Sequence, residues 1–304
     1  MEEKDILKRL IKNDSLFNMI GVVVQQYDIL PKNKEHIGAY IEYQDLQELR
    51  DEFVEELSYT IVDWIYSSEK YEEIKKNMVN SGMSEAAASE YIGRKAKNKF
   101  RANKNSENVL IQGQMGELLL YHFIQKYMKA VPLLRKMKIA TSPNHERFGA
   151  DAIHFKIENS KNIIILGEAK TYTSTYKFNE AFSDALDSIL NTYNNHRSEL
   201  GLYVHEDFLD DEMKVVAEKY LNNKLKPVEI HLVSIVTYNE SSKLNKIDET
   251  GIRNNIKKII EDRYRNYDKN KIDMNRNPIL SRITYIVFPV WNLKELAEKF
   301  QKLI

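Results

Sequence analysis

At 304 residues the chain is long enough to bury a large core, and 42% apolar with 30% charged residues describes a folded rather than a disordered polymer. Lys+Arg and Asp+Glu are both 45, so the whole molecule exerts no net pull on nucleic acid and any such footprint must be local. The absence of cysteine excludes disulfide frameworks, zinc-thiolate centres and cysteine nucleophiles. The charged start MEEKDILKRLIKND carries no visible signal peptide, and no apolar run approaches the ~18 residues of a membrane span. A cytoplasmic location is expected.

In chain order, a short strand-like segment, Met19 to Pro31, opens a mainly helical first third. Leu46, Leu49, Phe53, Leu57, Ile61 and Ile65 recur at spacings of three and four, which predicts one amphipathic helix from Gln44 to Tyr66. Helices are expected over Ser68 to Val79 and Ser84 to Arg101, the second with Ser84 as N-cap. The character changes after about Asn105. A strongly apolar helix, Gly113 to Ala130, precedes strand candidates at Met137 to Ala140, Asp151 to Ile157 and Asn162 to Lys170. Helices over Lys177 to Tyr193 and Asp210 to Asn222 lead to a strand at Val228 to Tyr238. A polar, basic stretch follows, then a strand at Ile283 to Val290 and a final helix. The expected class is α/β, a mixed sheet flanked by helices, with residues 1–105 a mainly helical region that meets a partner or DNA and 106–304 the core.

One segment carries chemistry: GADAIHFKIENSKNIIILGEAK, Gly149 to Lys170. Residues i and i+2 of a strand share a face, so Glu168 and Lys170 project together in line with Leu166 and Ile164. Asp151 likewise shares a face with Ile153 and Phe155. If the two strands form a hairpin around ENSKN, their equal arms bring Asp151 and Glu168 to the same sheet edge. Two carboxylates meeting there repel unless a cation or proton neutralises them. Oxygen-only ligands favour Mg²⁺ or Mn²⁺. An adjacent lysine can orient a water and offset charge on a phosphate in its transition state. Four Glu-x-Lys triplets occur, but only the one at Glu168 ends an apolar strand behind a strand-borne Asp.

The residues GAD…GEAK resemble the core motif of the PD-(D/E)xK nuclease superfamily, with Ala150 where proline often stands. Together with GQMGELLLYHF they resemble, more specifically, the HamA family, the effector subunits of Hachiman anti-phage defence systems. The likeness is sharpest over Gly113 to Ile189. It implies a restriction-endonuclease-like core in which Asp151 and Glu168 are metal ligands, the Ala169 backbone carbonyl completes the shell, Lys170 is the catalytic lysine, and Glu117 is an auxiliary acid or second-metal ligand. It further implies Mg²⁺-dependent cleavage of DNA with little sequence preference, restrained by a HamB-type helicase partner. The other-class alternative is a non-catalytic scaffold that binds DNA or a helicase.

Other residues are ambivalent. His154 alternates onto the face away from Asp151, and His122 on an apolar helix reads as a core group. His145 and Arg147 lie in the loop entering the Asp151 strand, where they could meet phosphate. Gly93 to Lys104, GRKAKNKFRANK, has six basic residues and no acid; it could track a phosphate backbone, meet an acidic partner, or be a solvated face. TYTSTYKF, after Lys170, could flank DNA or be the turn into a helix. No GxxxxGK[ST], HExxH, GxSxG or GxGxxG is present, which leaves P-loop ATPase, zinc protease, serine hydrolase and dinucleotide-binding readings without their minimal signatures.

Overall fold

Strand residues Ile163 to Leu166 are buried without alternation, which requires cover on both faces of their sheet. A computed structural model describing residues 2–10, 14–100, 108–134, 149–174, 177–204, 211–245 and 247–304 shows that cover. Its helices are α1 (Glu3–Leu7), α2 (Ser15–Asn18), α3 (Arg50–Tyr59), α4 (Ile61–Ile65), α5 (Ser68–Asn80), α6 (Glu85–Phe100), α7 (Asn108–Met128), α8 (Phe178–Tyr203), α9 (Asp211–Leu221), α10 (Glu249–Asn266) and α11 (Leu293–Leu303). Its strands are β1 (Ile20–Gln26), β2 (Glu35–Ile41), β3 (Tyr43–Gln44), β4 (Gln47–Glu48), β5 (Val131–Leu134), β6 (Ala152–Glu158), β7 (Lys161–Tyr172), β8 (Val228–Asn239) and β9 (Ile283–Val290).

Among the described residues the main sheet has seven strands in the order β1-β2-β9-β8-β7-β6-β5. The three central strands β7, β8 and β9 run parallel, while β5, β6 and β7 are antiparallel neighbours. Alternation sorts the core into two layers. Ile164 and Leu166 pack with Phe182, Ala185 and Ile189 of α8, whereas Ile163 and Ile165 pack with Leu118, Leu120 and Ile124 of α7. The mixed α/β class expected from the sequence is the class observed.

Several elements differ from the sequence reading. The helix expected from Gln44 begins only at Arg50, because Asp45 and Leu46 take positive φ (50° and 61°) and close a two-residue hairpin between β3 and β4. It is also interrupted at Thr60, between α3 and α4, where the Thr60 hydroxyl turns back to the Leu57 carbonyl at 2.8 Å. A second strand, β2, joins β1 in the first third and pairs parallel with β9. Elements from either side of residue 105 therefore share one sheet, and residue 105 itself lies outside the described residues.

The polar stretch before β9 contains an 18-residue helix, α10, whose inward positions are Ile252, Ile256, Ile259, Ile260 and Tyr264. Asp248 caps it by accepting from Gly251 N–H at 2.7 Å. Helix α8 runs ten residues past the expected Tyr193, because His196 and Leu200 continue its buried face. The strand candidate at Met137 to Ala140 lies outside the described residues, as do His145 and Arg147, while Val131–Leu134 supplies the strand that pairs with β6. No helix among the described residues is long and apolar enough to cross a membrane.

Candidate metal centre

The site begins with a hairpin. Asn159 and Ser160 take positive φ of 49° and 62°, closing β6 onto β7 in a two-residue turn. From there the register runs Glu158 opposite Lys161 to Ala152 opposite Gly167. One step further, Asp151 N–H donates to the Gly167 carbonyl at 3.1 Å, which sets Asp151 beside Glu168. The Asp151 Oδ2 atom accepts from Ala169 N–H at 2.9 Å, so its carboxylate wraps the backbone of the next strand at the residue whose carbonyl is the expected third ligand. Lys170 Nζ lies 3.6 Å from Glu168 Oε1. Asp151, Glu168 and Lys170 are thus brought together.

Glu168 occupies the sheet face under α8. It is 5% exposed, and both its oxygens are held: Ser188 Oγ donates to Oε1 at 2.7 Å and Thr192 Oγ1 to Oε2 at 2.9 Å. Burial, and then the neighbouring Asp151 charge, push its pKa from 4.5 to about 7, against the opposing pull of Lys170 and the two hydroxyls. The Lys170 side chain is 28% exposed against 6% for Glu168, so the ammonium reaches solvent in front of a buried acid.

Two glycines shape the surroundings. Gly167 faces α7, where an added Cβ would come to 3.0 Å from Leu120, Ile124 and Ala152, so a side chain there would press these neighbours back. Gly149 has φ +151° and would drive a Cβ to 2.2 Å from Glu199 Oε1. Glu199, buried on α8, accepts from Ala150 N–H at 2.7 Å and ties down the turn that presents Asp151. On the same helix Asp184 accepts from the Tyr172 hydroxyl, and that bond raises the phenol pKa to about 12.

Glu117 sits differently. It comes from α7, on the sheet face opposite to Glu168, where Gly116 packs against Ala169 and Thr171. Among the described residues no three His, Asp or Glu side chains are grouped to hold a metal, so Glu117 is not gathered with Asp151 and Glu168 into one carboxylate cluster. His154 turns away from Asp151, as alternation requires, and meets Tyr121 edge-on with centroids 5.4 Å apart. His122 is buried, and burial lowers its pKa to about 3, so it is a neutral core group.

The sequence reading missed Ser188, Thr192, Glu199 and Asp184. A signal existed: Asp184, Ser188 and Thr192 recur every fourth residue, and Glu199 follows at a spacing of seven, within a helix whose Ala181, Ala185 and Ile189 face the core. Polar residues along a buried helical stripe point to something polar opposite them. The donors at the site fit a hard divalent cation. Asp151, Glu168 and the Ala169 carbonyl offer oxygen only, and the Glu168 carboxylate is buried beside a second acid, a charge that a cation would relieve.

Seven strands flanked by helices, with Asp151 just before β6 beside Glu168 and Lys170 of β7, define a mixed α/β protein that gathers two acids and a lysine at one place on its sheet. The sequence places it further. The HamA family model matches residues 18–304, nearly the entire chain, and the protein belongs to that family. Comparison with curated proteins gave no match.

Proposed function

We propose that this protein is a Mg²⁺-dependent deoxyribonuclease, with Mn²⁺ an effective substitute, and the effector of a Hachiman defence system that works beside a HamB-type helicase. Membership of the HamA family supports the defence role. The observation that carries the chemistry is the convergence of Asp151, Glu168 and Lys170 around the backbone of Ala169.

In this reading Asp151, Glu168 and the Ala169 carbonyl hold the cation. When bound, it polarises the phosphodiester and makes a nearby water a better nucleophile. The chain's own residues then perform three tasks. Ser188 and Thr192 fix the Glu168 carboxylate so that its outward lone pairs keep one direction. Asp151 is fixed by Ala169 N–H, within the same strand pair. Lys170 donates hydrogen bonds to the attacking water and to a nonbridging phosphate oxygen, offsetting the charge that accumulates as the new P–O bond forms and the opposite ester bond breaks.

The test is cleavage of supercoiled plasmid by the purified chain, alone and with its helicase partner, in Mg²⁺ or EDTA. A Glu168→Ala/Lys170→Ala variant with an unchanged unfolding transition serves as comparison. Mg²⁺-dependent nicking or linearisation by the native chain alone is expected. Equal cleavage by both chains, or none by the native chain under any of these conditions, would reject the reading in favour of a non-catalytic scaffold.

A further inference from the structure

Helix α6 buries Ala88, Ile92, Ala96 and Phe100, a stripe at four-residue spacing. Phe100 meets Trp64 and Phe300 edge-on, with centroids at 5.2 and 5.8 Å, which fixes which side of the helix faces outward. The outward side carries Arg94, Lys95, Asn98 and Lys99, all exposed. These cations lie on rings rather than carboxylates. Arg94 and Lys95 stand 5.7 and 5.3 Å from the Tyr91 centroid, and Lys99 stands 4.8 Å from that of Tyr66. None of the three forms an ion pair among the described residues. Lys97 differs, since it is half-buried and bonds to Ser58 Oγ and the Leu303 carbonyl.

We infer that the outward face of α6 is a binding surface for the phosphate backbone of nucleic acid, with Arg94, Lys95 and Lys99 as its contacts. The choice of polymer rests on the nuclease reading above; the surface itself rests on the unneutralised cations. A ring beneath a cation orients it without cancelling its charge, unlike a carboxylate partner. From Arg94 to Lys99 the helix advances about 8 Å, two to three nucleotide steps along one strand of B-form DNA. An acidic protein partner fits less well, because protein interfaces are anchored by buried aromatic or aliphatic side chains. No large apolar side chain of α6 is among the exposed ones. The next described helix, α7, packs at Gly116 on Ala169 and Thr171 of β7, the strand that carries Glu168 and Lys170.

The experiment measures binding of a fluorescent 30-base-pair duplex in EDTA across a KCl series, with the full chain. Three chains are compared: native, Arg94→Gln/Lys95→Gln/Lys99→Gln, and the charge-preserving Arg94→Lys. Loss of three phosphate contacts makes the slope of log affinity on log salt shallower by about 2.7, while Arg94→Lys leaves it unchanged. All three positions are exposed, so the unfolding midpoint stays near the native value. An unchanged slope in the folded triple variant, or no duplex binding by the native chain, overturns the inference. Loss of binding to polyglutamate without loss of duplex binding overturns it in favour of an acidic partner. Plasmid cleavage lost only in the Glu168→Ala/Lys170→Ala chain, with the slope unaltered by the triple change, would leave the nuclease reading standing without this surface.

Discussion

Thr192 Oγ1 donates to Glu168 Oε2 at 2.9 Å, and by that bond a helix fixes the direction of an acid carried by a strand. Ser188, one turn earlier, does the same for the other oxygen. Thr192→Val keeps the shape and removes the donor, leaving a buried carboxylate oxygen short of a partner. Mn²⁺ affinity at pH 8, read by electron paramagnetic resonance, is expected to weaken by about 10-fold or more, and Thr192→Ser to restore it. Equal affinities in all three chains would show that the bond does not orient the carboxylate.

Glu168 also sets a pH dependence. Its pKa rises from 4.5 to about 7 in the folded chain, first through burial and then through Asp151. Between those values the folded state binds more protons than the unfolded one. The contribution of Glu168 to metal-free stability is therefore fully present below the unfolded pKa, is lost as pH rises through this window, and is gone above about 7. Urea midpoints in EDTA from about pH 4.5 to 8 should show the native chain losing stability relative to Glu168→Gln as pH rises, a difference in which the opposing contribution of the buried His36 and His122, common to both chains, cancels. Divalent affinity moves the other way, rising with pH, because the cation displaces the proton.

The turn before Asp151 predicts a third outcome. Gly149→Ala places a methyl 2.2 Å from Glu199 Oε1 at a φ of +151°. The strain is expected to cost about 1–3 kcal/mol. Adding Glu199→Ala should recover the steric part but lose the bond to Ala150 N–H. Denaturation of the two single variants and the double variant measures the coupling, and strict additivity would contradict the contact.

Glu240 supplies a fourth, away from the site. Its side chain is fully buried at the end of β8, where Arg263 of α10 reaches it at 2.6 and 3.0 Å. Arg263→Gln leaves the buried carboxylate with the Tyr238 hydroxyl and the Ser241 and Ser242 N–H groups as donors but without its countercharge, and should destabilise the chain by up to about 3–5 kcal/mol. Replacing Glu240 by Gln as well should recover much of that loss. A single variant as stable as the native chain would show that Arg263 is not the compensating charge.

The legible parts of this fold are those where local pattern and long-range packing demand the same thing. The β6–β7 hairpin could be read because both segments are short apolar runs, their arms are equal, and the turn between them is polar. This alone sufficed to bring Asp151, Glu168 and Lys170 together. Helix α10 was obscured by its composition, since charges outside the Ile252, Ile256 and Ile260 stripe dominate the count. The β3–β4 hairpin was read as helix because Leu46 and Leu49 fit a helical spacing that the backbone at Asp45 and Leu46 does not follow. Strand β2 mixes His36, Gly38 and Tyr40 among its apolar residues and is stabilised by β1 and β9, its second neighbour being over 240 residues away in sequence. Ser188 and Thr192 were visible only as a periodic polar stripe; what they bond to follows from the sheet beneath them.

The central claim is that Asp151 and Glu168 share one divalent cation beside Lys170. Anomalous scattering from crystals soaked in Mn²⁺ tests it directly. The account predicts a peak within bonding range of an oxygen of Asp151, an oxygen of Glu168 and the Ala169 carbonyl, absent from a Glu168→Ala crystal. A Mn²⁺ peak bound elsewhere, with none between these two acids, would contradict it.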